Sequence, residues 1–457
     1  MSEKRGIRML AVSGCLGYGF TETAFDAGLQ SGIDFIACDA GSMDPGPWYL
    51  GAGKPYVSEQ ALRRDLEIML AGARRVGVPV IIGSAGGGGA TPHVAILERL
   101  IREIAAERGL HFKLAVISSV PDRDLVAERL KQDRIRPLEN VPPLTPETLD
   151  QTDVMVAMMG AEPLQAALRG GADVVLAGRC SDSALFAAIP LMQGYPAGPA
   201  WHLGKTIECG GAIVRPKIGQ DCVIGHLDDD GFEVEPGHPD KRCTPESVAA
   251  HTLYENPSPY DFIEPSGVVD TRDATYTALD DRRVRVTGSQ YNRAEKYTVK
   301  LEGVRCVGHR SIMIAGIRDS RLIEEIHSFC DAMNDRVVTE ARNLGIADSD
   351  WTLTIRRYGL DGVLGPLEPR RSEPGHELGL VLDVVGRTEE IAASVLAKAR
   401  YIGMHTEFKG RLSSSGNLAM PFSPSDISVG SAWEFSLWHA MELDDPCEIF
   451  PITFSEV

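Results

Sequence analysis

Arg8-Met9-Leu10-Ala11-Val12-Ser13, then Gly14-Cys15-Leu16-Gly17-Tyr18-Gly19, is the stretch on which the fold turns. The nearly continuous apolar run predicts a strand buried on both faces, the glycines a tight turn, and residues 21–31 an amphipathic helix. The same alternation repeats down the chain. Residues 35–38, 78–82, 113–118 and 174–177 read as strands, and 58–76, 91–108 and 163–170 as helices. Strands separated by helices favour a parallel sheet. The expected fold is therefore α/β: a doubly wound, mainly parallel N-terminal domain over residues 1–200, with ligands at the carboxyl ends of its strands.

Outward from there the pattern changes. Residues 201–290 are richer in Pro, Gly and Asp and predict an irregular, partly β region that completes the ligand cleft. In residues 291–457, strand (309–317), helix (320–344), strands (351–358, 378–385) and helix (388–402) predict a C-terminal ferredoxin-like α+β domain, its last strand near 448–454.

Composition narrows the function. The 457 residues are 43% hydrophobic, enough for a large core, and the formal charge of -18 would repel nucleic acid and anionic membranes. The longest apolar runs, 78–83 and 174–177, fall far short of the roughly 20 residues that span a bilayer. The charged start, residues 1–6, lacks a signal-peptide layout, so a cytoplasmic protein is expected. Nine cysteines without a CxxC pair argue against a zinc knuckle or redox dithiol and read as reduced thiols.

Glycine-rich loops follow three predicted strands: Gly14, Gly17 and Gly19 after the first; Asp39-Ala40-Gly41-Ser42 after the second; Ser84, Gly86, Gly87 and Gly88 after the third. Such loops can bring backbone N–H groups to an anion, or can simply be tight turns. Their spacing is neither a phosphate-binding GK[ST] loop nor a GxGxxG fingerprint. Asp39, Ser42 and Asp44 at one strand end and Arg179, Ser181 and Asp182 at another could clamp a carboxylate and supply a base, or form an N-cap with a structural ion pair. His202, Lys205, Glu208 and Cys209 lie within eight residues; Glu208 is an acid/base candidate, and Cys209 either an activated thiol or inert. In the punctuated segment 412–426, Ser415, Gly416 and Asn417 could bind a ligand carboxylate or a partner, or only shape an Ω-loop. Asp39, Asp44, Asp182 and Glu208 are oxygen donors suited to Mg²⁺ or Mn²⁺ if they converge.

Several segments together resemble the acyclic terpene utilisation protein A family: the opening glycine turn, Arg179-Cys180-Ser181-Asp182, residues 202–210, Thr244-Pro245-Glu246-Ser247-Val248 with Leu253-Tyr254-Glu255, and Gly416-Asn417 through Pro421-Phe422-Ser423-Pro424-Ser425-Asp426 with Glu434-Phe435. The resemblance implies a place in acyclic terpene catabolism and a separate small companion protein. With the acid/base and arginine candidates, the expectation is a lyase (hydratase/dehydratase) or isomerase. Its substrate would be a small, anionic, branched carboxylate or acyl-CoA thioester. Asp39, Arg179, Asp182, Glu208 and Cys209 are its candidate catalytic residues, and a homo-oligomer its expected state. The alternative is a non-catalytic ligand-binding or assembly subunit working with the companion chain.

Overall fold

A computed structural model describes residues 6–219, 221–256, 258–412 and 416–457. The chain forms two compact units, Met1–Arg305 with Phe435–Val457, and Cys306–Glu434. In the first, a ten-stranded sheet has at its centre the parallel strands Ile7–Ala11, Phe35–Asp39, Val80–Gly83, Val174–Ala177 and Lys113–Ile117, in that spatial order. Alternate residues sort to two cores: Met9, Phe35, Ile81 and Val175 on one side, Leu10, Ile36, Val80 and Val174 on the other. That is the period-two signature of a strand covered on both faces.

Helices Glu22–Gln30, Glu59–Val76 and Thr91–Arg108 cover one face through Phe25, Leu66 and Leu97. Thr21 and Ser58 cap the first two by accepting from the N–H of Ala24 and Ala61, and Gly77 and Gly109 end the second and third with positive φ. Ala161–Arg169, Asp182–Met192 and Ala197–Ile207 cover the other face through Leu164, Phe186 and Trp201. Truncating one such fully buried side chain to alanine costs about 2–5 kcal/mol. The neighbouring strands Val80–Gly83 and Val174–Ala177 thus send their chains to opposite faces.

The sheet is mixed rather than mainly parallel. Val223–Leu227, Gly231–Pro236, Val284–Thr287 and Thr275–Ala278 extend it antiparallel beyond the first strand, and Ile452–Glu456 pairs antiparallel with Lys113–Ile117. The expectation of a final strand near 448–454 in the C-terminal region is corrected by that last pairing, which returns it to the first unit's sheet.

In the second unit, residues 309–317 of the strand Tyr297–Ile317 pair antiparallel with Leu378–Gly386, which pairs with Trp351–Tyr358. Tyr297–Ile317 has Ile427–Leu443 as its other neighbour in the sheet order. Helices Ile326–Asn343 and Glu389–His405 bury Phe329, Met333, Val395 and Ala399 against Met313, Leu380 and Leu382. Strict burial alternation along Leu378–Gly386 shows one face in this core and one outside it.

Candidate active site

A cavity of about 430 Å³ opens at the carboxyl ends of the first two strands, lined by Gly14, Cys15, Asp39, Ser42, Asp44 and Asp182 on one side. Cys209, Arg215, Lys217, Ser247, His251 and Tyr254 line the other. Gly14 permits the junction of the two sides, because a Cβ there would stand 2.9 Å from the Cys209 carbonyl oxygen. Cys15 Sγ lies 3.0 Å from the Tyr56 hydroxyl, and burial together with Asp39 pushes this thiol well up.

Asp39 ends the second strand almost fully buried. Its Oδ2 accepts from the Gly41 N–H at 3.0 Å, whereas Oδ1 has no hydrogen-bond partner. Burial raises this carboxyl well above the usual range, and neighbouring Asp182 raises it further. Asp182 starts the helix Asp182–Met192 with its side chain about one-third exposed (35%). Desolvation raises it too, opposed first by Arg179 and then by Lys205.

Arg179 is 8% exposed at the side chain, and its guanidinium is engaged by protein. Nε donates to Glu302 at 2.7 Å, Nη2 to the same carboxylate at 3.4 Å, and Nη1 to Ser84 Oγ at 3.1 Å. Burial alone would raise Glu302; Arg179 and Lys300 overcome it and hold the carboxylate at about 2. Behind the cavity wall, Glu208 accepts from Lys205 Nζ at 2.6 Å and Ser183 Oγ at 2.9 Å. Glu264 accepts from Ser181 Oγ at 2.6 Å. Burial pushes Glu264 up to about 8 and Glu208 to about 7, Lys205 restraining the latter.

Of the residues singled out from sequence, Gly14, Asp39, Ser42, Asp44, Asp182 and Cys209 come together on the cavity. Gly17 and Gly19 do not offer their amides to a ligand, since both N–H groups donate to Asp65 Oδ2, at 2.8 and 3.0 Å. In the third loop, the Gly87 and Gly89 amides donate to Ser84 and Ala85 carbonyls. A Cβ on Gly88 would meet Leu50 and His93, one on Gly86 would meet His93, and Gly87 fills the space a Cβ on Gly41 would need. Ser84, Gly86, Gly87 and Gly88 are buried and lie outside the cavity lining.

His202 is fully buried among Ser289, Thr252 and Tyr276, and burial depresses it to about 3. Ser181 serves Glu264. Asn417 lies in the second unit, where its Nδ2 donates to Gly403 and Thr406 carbonyls, and Ser415 falls outside the described residues. Sequence reasoning missed Tyr56, Arg215, Lys217, Ser247, His251, Glu264 and Glu302. Ser247 and His251 had a usable signal: Thr244 and Ser247 form a capping box, so the helix Pro245–Thr252 presents positions four apart on one face.

A family model described as acyclic terpene utilisation family protein AtuA matches residues 51–410. The chain belongs to the AtuA family. Membership suggests a role in terpene catabolism. No curated protein and no solved structure matches the chain. No helix among the described residues is long and apolar enough to cross a membrane.

The match spans most of this cavity, from Tyr56 to Glu255, while Gly14, Cys15, Tyr18, Asp39, Ser42 and Asp44 precede it. Chemically, this AtuA-family cavity joins a carboxyl that burial raises well above the usual range, a second carboxyl that is more exposed, and two basic residues, Arg215 and Lys217, less buried than Asp39. Cys209 is pushed well up by burial and Glu208, so it stands as a thiol. Among the described residues, Glu208, Cys209 and His251 are the group whose donor atoms gather closely enough for a metal, within 4.8 Å of one another. Asp39, Asp44 and Asp182 are outside that group.

Proposed function

We propose that the chain is a catabolic acid–base enzyme, a hydro-lyase or isomerase, acting on a small branched carboxylate or its acyl-CoA thioester. The observation that carries this reading is the Asp39–Asp182 pair. Asp39 keeps an unpartnered oxygen on the cavity wall and burial raises its carboxyl well above the usual range, while Asp182 stands beside it with a more exposed side chain. Burial raises both carboxyls, Asp39 more strongly, so the deeper one is suited to act as the acid and the more exposed one as the base. In a dehydration, Asp182 takes the proton α to the carbonyl while the C–O bond breaks. The hydroxyl then leaves as water with the Asp39 proton, and a C=C bond forms. Arg215 and Lys217 hold the substrate's carboxylate or the thioester's phosphates, and Arg179 positions the turn that carries Asp182.

We read residues 1–200 as a doubly wound domain with its cleft completed by 201–290, and the C-terminal region as a ferredoxin-like α+β domain. Helices on both faces of the parallel strands and the second unit's strand order support this. A partner-binding role for that unit is favoured by one observation: Val363 and Leu367 are 80% and 82% exposed. Light scattering with and without a small companion chain tests it; unchanged mass would remove the companion from the proposal.

The acid–base reading is tested by incubating the protein in D₂O with a panel of branched 3-hydroxy and 2-enoic acids and their CoA thioesters. The expected result is deuterium at the α carbon, lost by roughly 10²-fold or more in Asp39→Asn and Asp182→Asn, with thermal unfolding retained. Exchange at wild-type rate in both variants would end the assignment.

A further inference from the structure

We propose that Glu208, Cys209 and His251 bind one divalent metal ion of the zinc class at the inner wall of the cavity. Their donor atoms, a carboxylate oxygen, a thiol sulfur and an imidazole nitrogen, all lie within 4.8 Å of one another. Around tetrahedral zinc, with bonds of about 2.0–2.3 Å, such atoms sit about 3.3–3.6 Å apart. Rotation of the Cys209 side chain, which lines the open cavity, closes the difference.

A second observation points to a ligand independently. His251 is 7% exposed, and its Nε2 is buried without any hydrogen-bond partner. A protein seldom leaves such an atom unsatisfied unless something absent from the chain meets it. His251 is also fixed in direction, stacked on Tyr254 with ring centroids 5.5 Å apart and planes 19° apart. Glu208 is held in place by Ser183 and Lys205, and a carboxylate retains lone pairs beyond those two contacts.

The local chain explains the convergence. Glu208 caps the helix Ala197–Ile207, and Cys209 follows at once. Gly210, at φ +49°, turns the chain back where a Cβ would meet the Ser13–Gly14 backbone. His251 comes from the opposite side on the helix Pro245–Thr252. A thiolate–imidazole–carboxylate set suits Zn²⁺ or Co²⁺ and not the Mg²⁺ or Mn²⁺ that an all-oxygen set would take. Three protein ligands beside a cavity leave a fourth position for water or substrate, the arrangement of a catalytic zinc site. The binding claim rests on this geometry alone. The use of the ion, to polarise a substrate carbonyl or hydroxyl opposite Asp39 and Asp182, rests on the acid–base reading above.

The test reads metal binding and not turnover, so its failure is separate from failure of that reading. Full-length protein stripped of metal is titrated with Zn²⁺ against a chromophoric chelator, and with Co²⁺ while the thiolate-to-cobalt charge-transfer absorption is followed. One equivalent with that absorption is expected. Cys209→Ser and His251→Asn should each weaken Zn²⁺ binding beyond the roughly 10–100-fold that loss of an outer-shell partner costs. Cys15→Ser, which removes the other cavity thiol, should leave Zn²⁺ affinity unchanged. If a variant fails to fold, alkylation mapping of the wild type decides, because Zn²⁺ should shield Cys209 and no other thiol. Absence of the cobalt–thiolate absorption, its survival in folded Cys209→Ser, or shielding of a different cysteine would overturn the site.

Discussion

Glu302→Gln is the substitution that best separates a structural from a ligand-clamping Arg179. Glu302 is 0% exposed and receives Arg179 Nε at 2.7 Å and Lys300 Nζ at 2.9 Å. Removing its charge leaves an 8%-exposed guanidinium with only the longer Asp182 pair, at 4.0 Å. Breaking a buried pair in this way costs about 3–5 kcal/mol. An independent route gives a similar size: the carboxyl falls from 4.5 to about 2, which at about 1.4 kcal/mol per pH unit amounts to about 3 kcal/mol of stability. The folded value lies below the unfolded one, so this contribution is complete above pH 4.5 and is lost as pH falls toward 2. Guanidinium unfolding of wild type, Glu302→Gln, Arg179→Met and the double variant Arg179→Met/Glu302→Leu supplies the assay. The double variant should lie well above the sum of singles in stability, with coupling above about 1 kcal/mol. A Glu302→Gln cost under about 1 kcal/mol, or additivity within about 0.5 kcal/mol, would refute the ion-pair account and return Arg179 to the ligand.

Two further outcomes follow from burial. His202, depressed from 6.5 to about 3, contributes stability fully present above pH 6.5 and lost as pH falls toward 3. Glu264, raised from 4.5 to about 8, acts oppositely: its contribution is present below pH 4.5 and lost as pH rises through 8. Thermal unfolding between pH 4 and 9 should therefore peak in the mildly acidic range, and Glu264→Gln should flatten the alkaline side; an unchanged slope there would count against a protonated Glu264. Gly89 has φ +68°, and a Cβ on it would stand 2.1 Å from the Arg179 backbone nitrogen. Gly89→Ala should cost more than about 2 kcal/mol, measured by denaturant unfolding, and a neutral substitution would mean the loop is looser than described.

What could be read from sequence followed how locally each feature is encoded. Thr91–Arg108 and Val174–Ala177 stand where expected because their signals are adjacent in the chain: Pro92 in the first turn and Gly109 at the end of one, and a run of apolar residues in the other. The antiparallel strands of 223–287 are short, and their partners are set by edges of the sheet that no local pattern names. The same limit hid Glu302 from Arg179, 123 residues away. Glycine carried an ambiguous signal. At Gly14 it permits a close approach that shapes the cavity, whereas at Gly41 and Gly87 it permits two loops to touch, and composition cannot tell these apart.

The placement of unsatisfied atoms is the remaining thread between fold and chemistry. Buried polar atoms without partners are costly, about 1–3 kcal/mol each, so each one calls for a water, an ion, a ligand or a reaction to account for it. Asp39 Oδ1 and His251 Nε2 are two such atoms, and both belong to residues that line the same cavity. They arrive from different elements, a parallel strand end and a helix of the inserted region, with no sequence proximity to explain the coincidence. The strand end carrying Asp39 and the first residue of the helix Asp182–Met192 both reach the cavity, so the carboxyl edge of the sheet supplies one of its walls. The cost of two orphaned atoms is then what the proposed ligands, a substrate at the carboxyl and a metal at the imidazole, would offset.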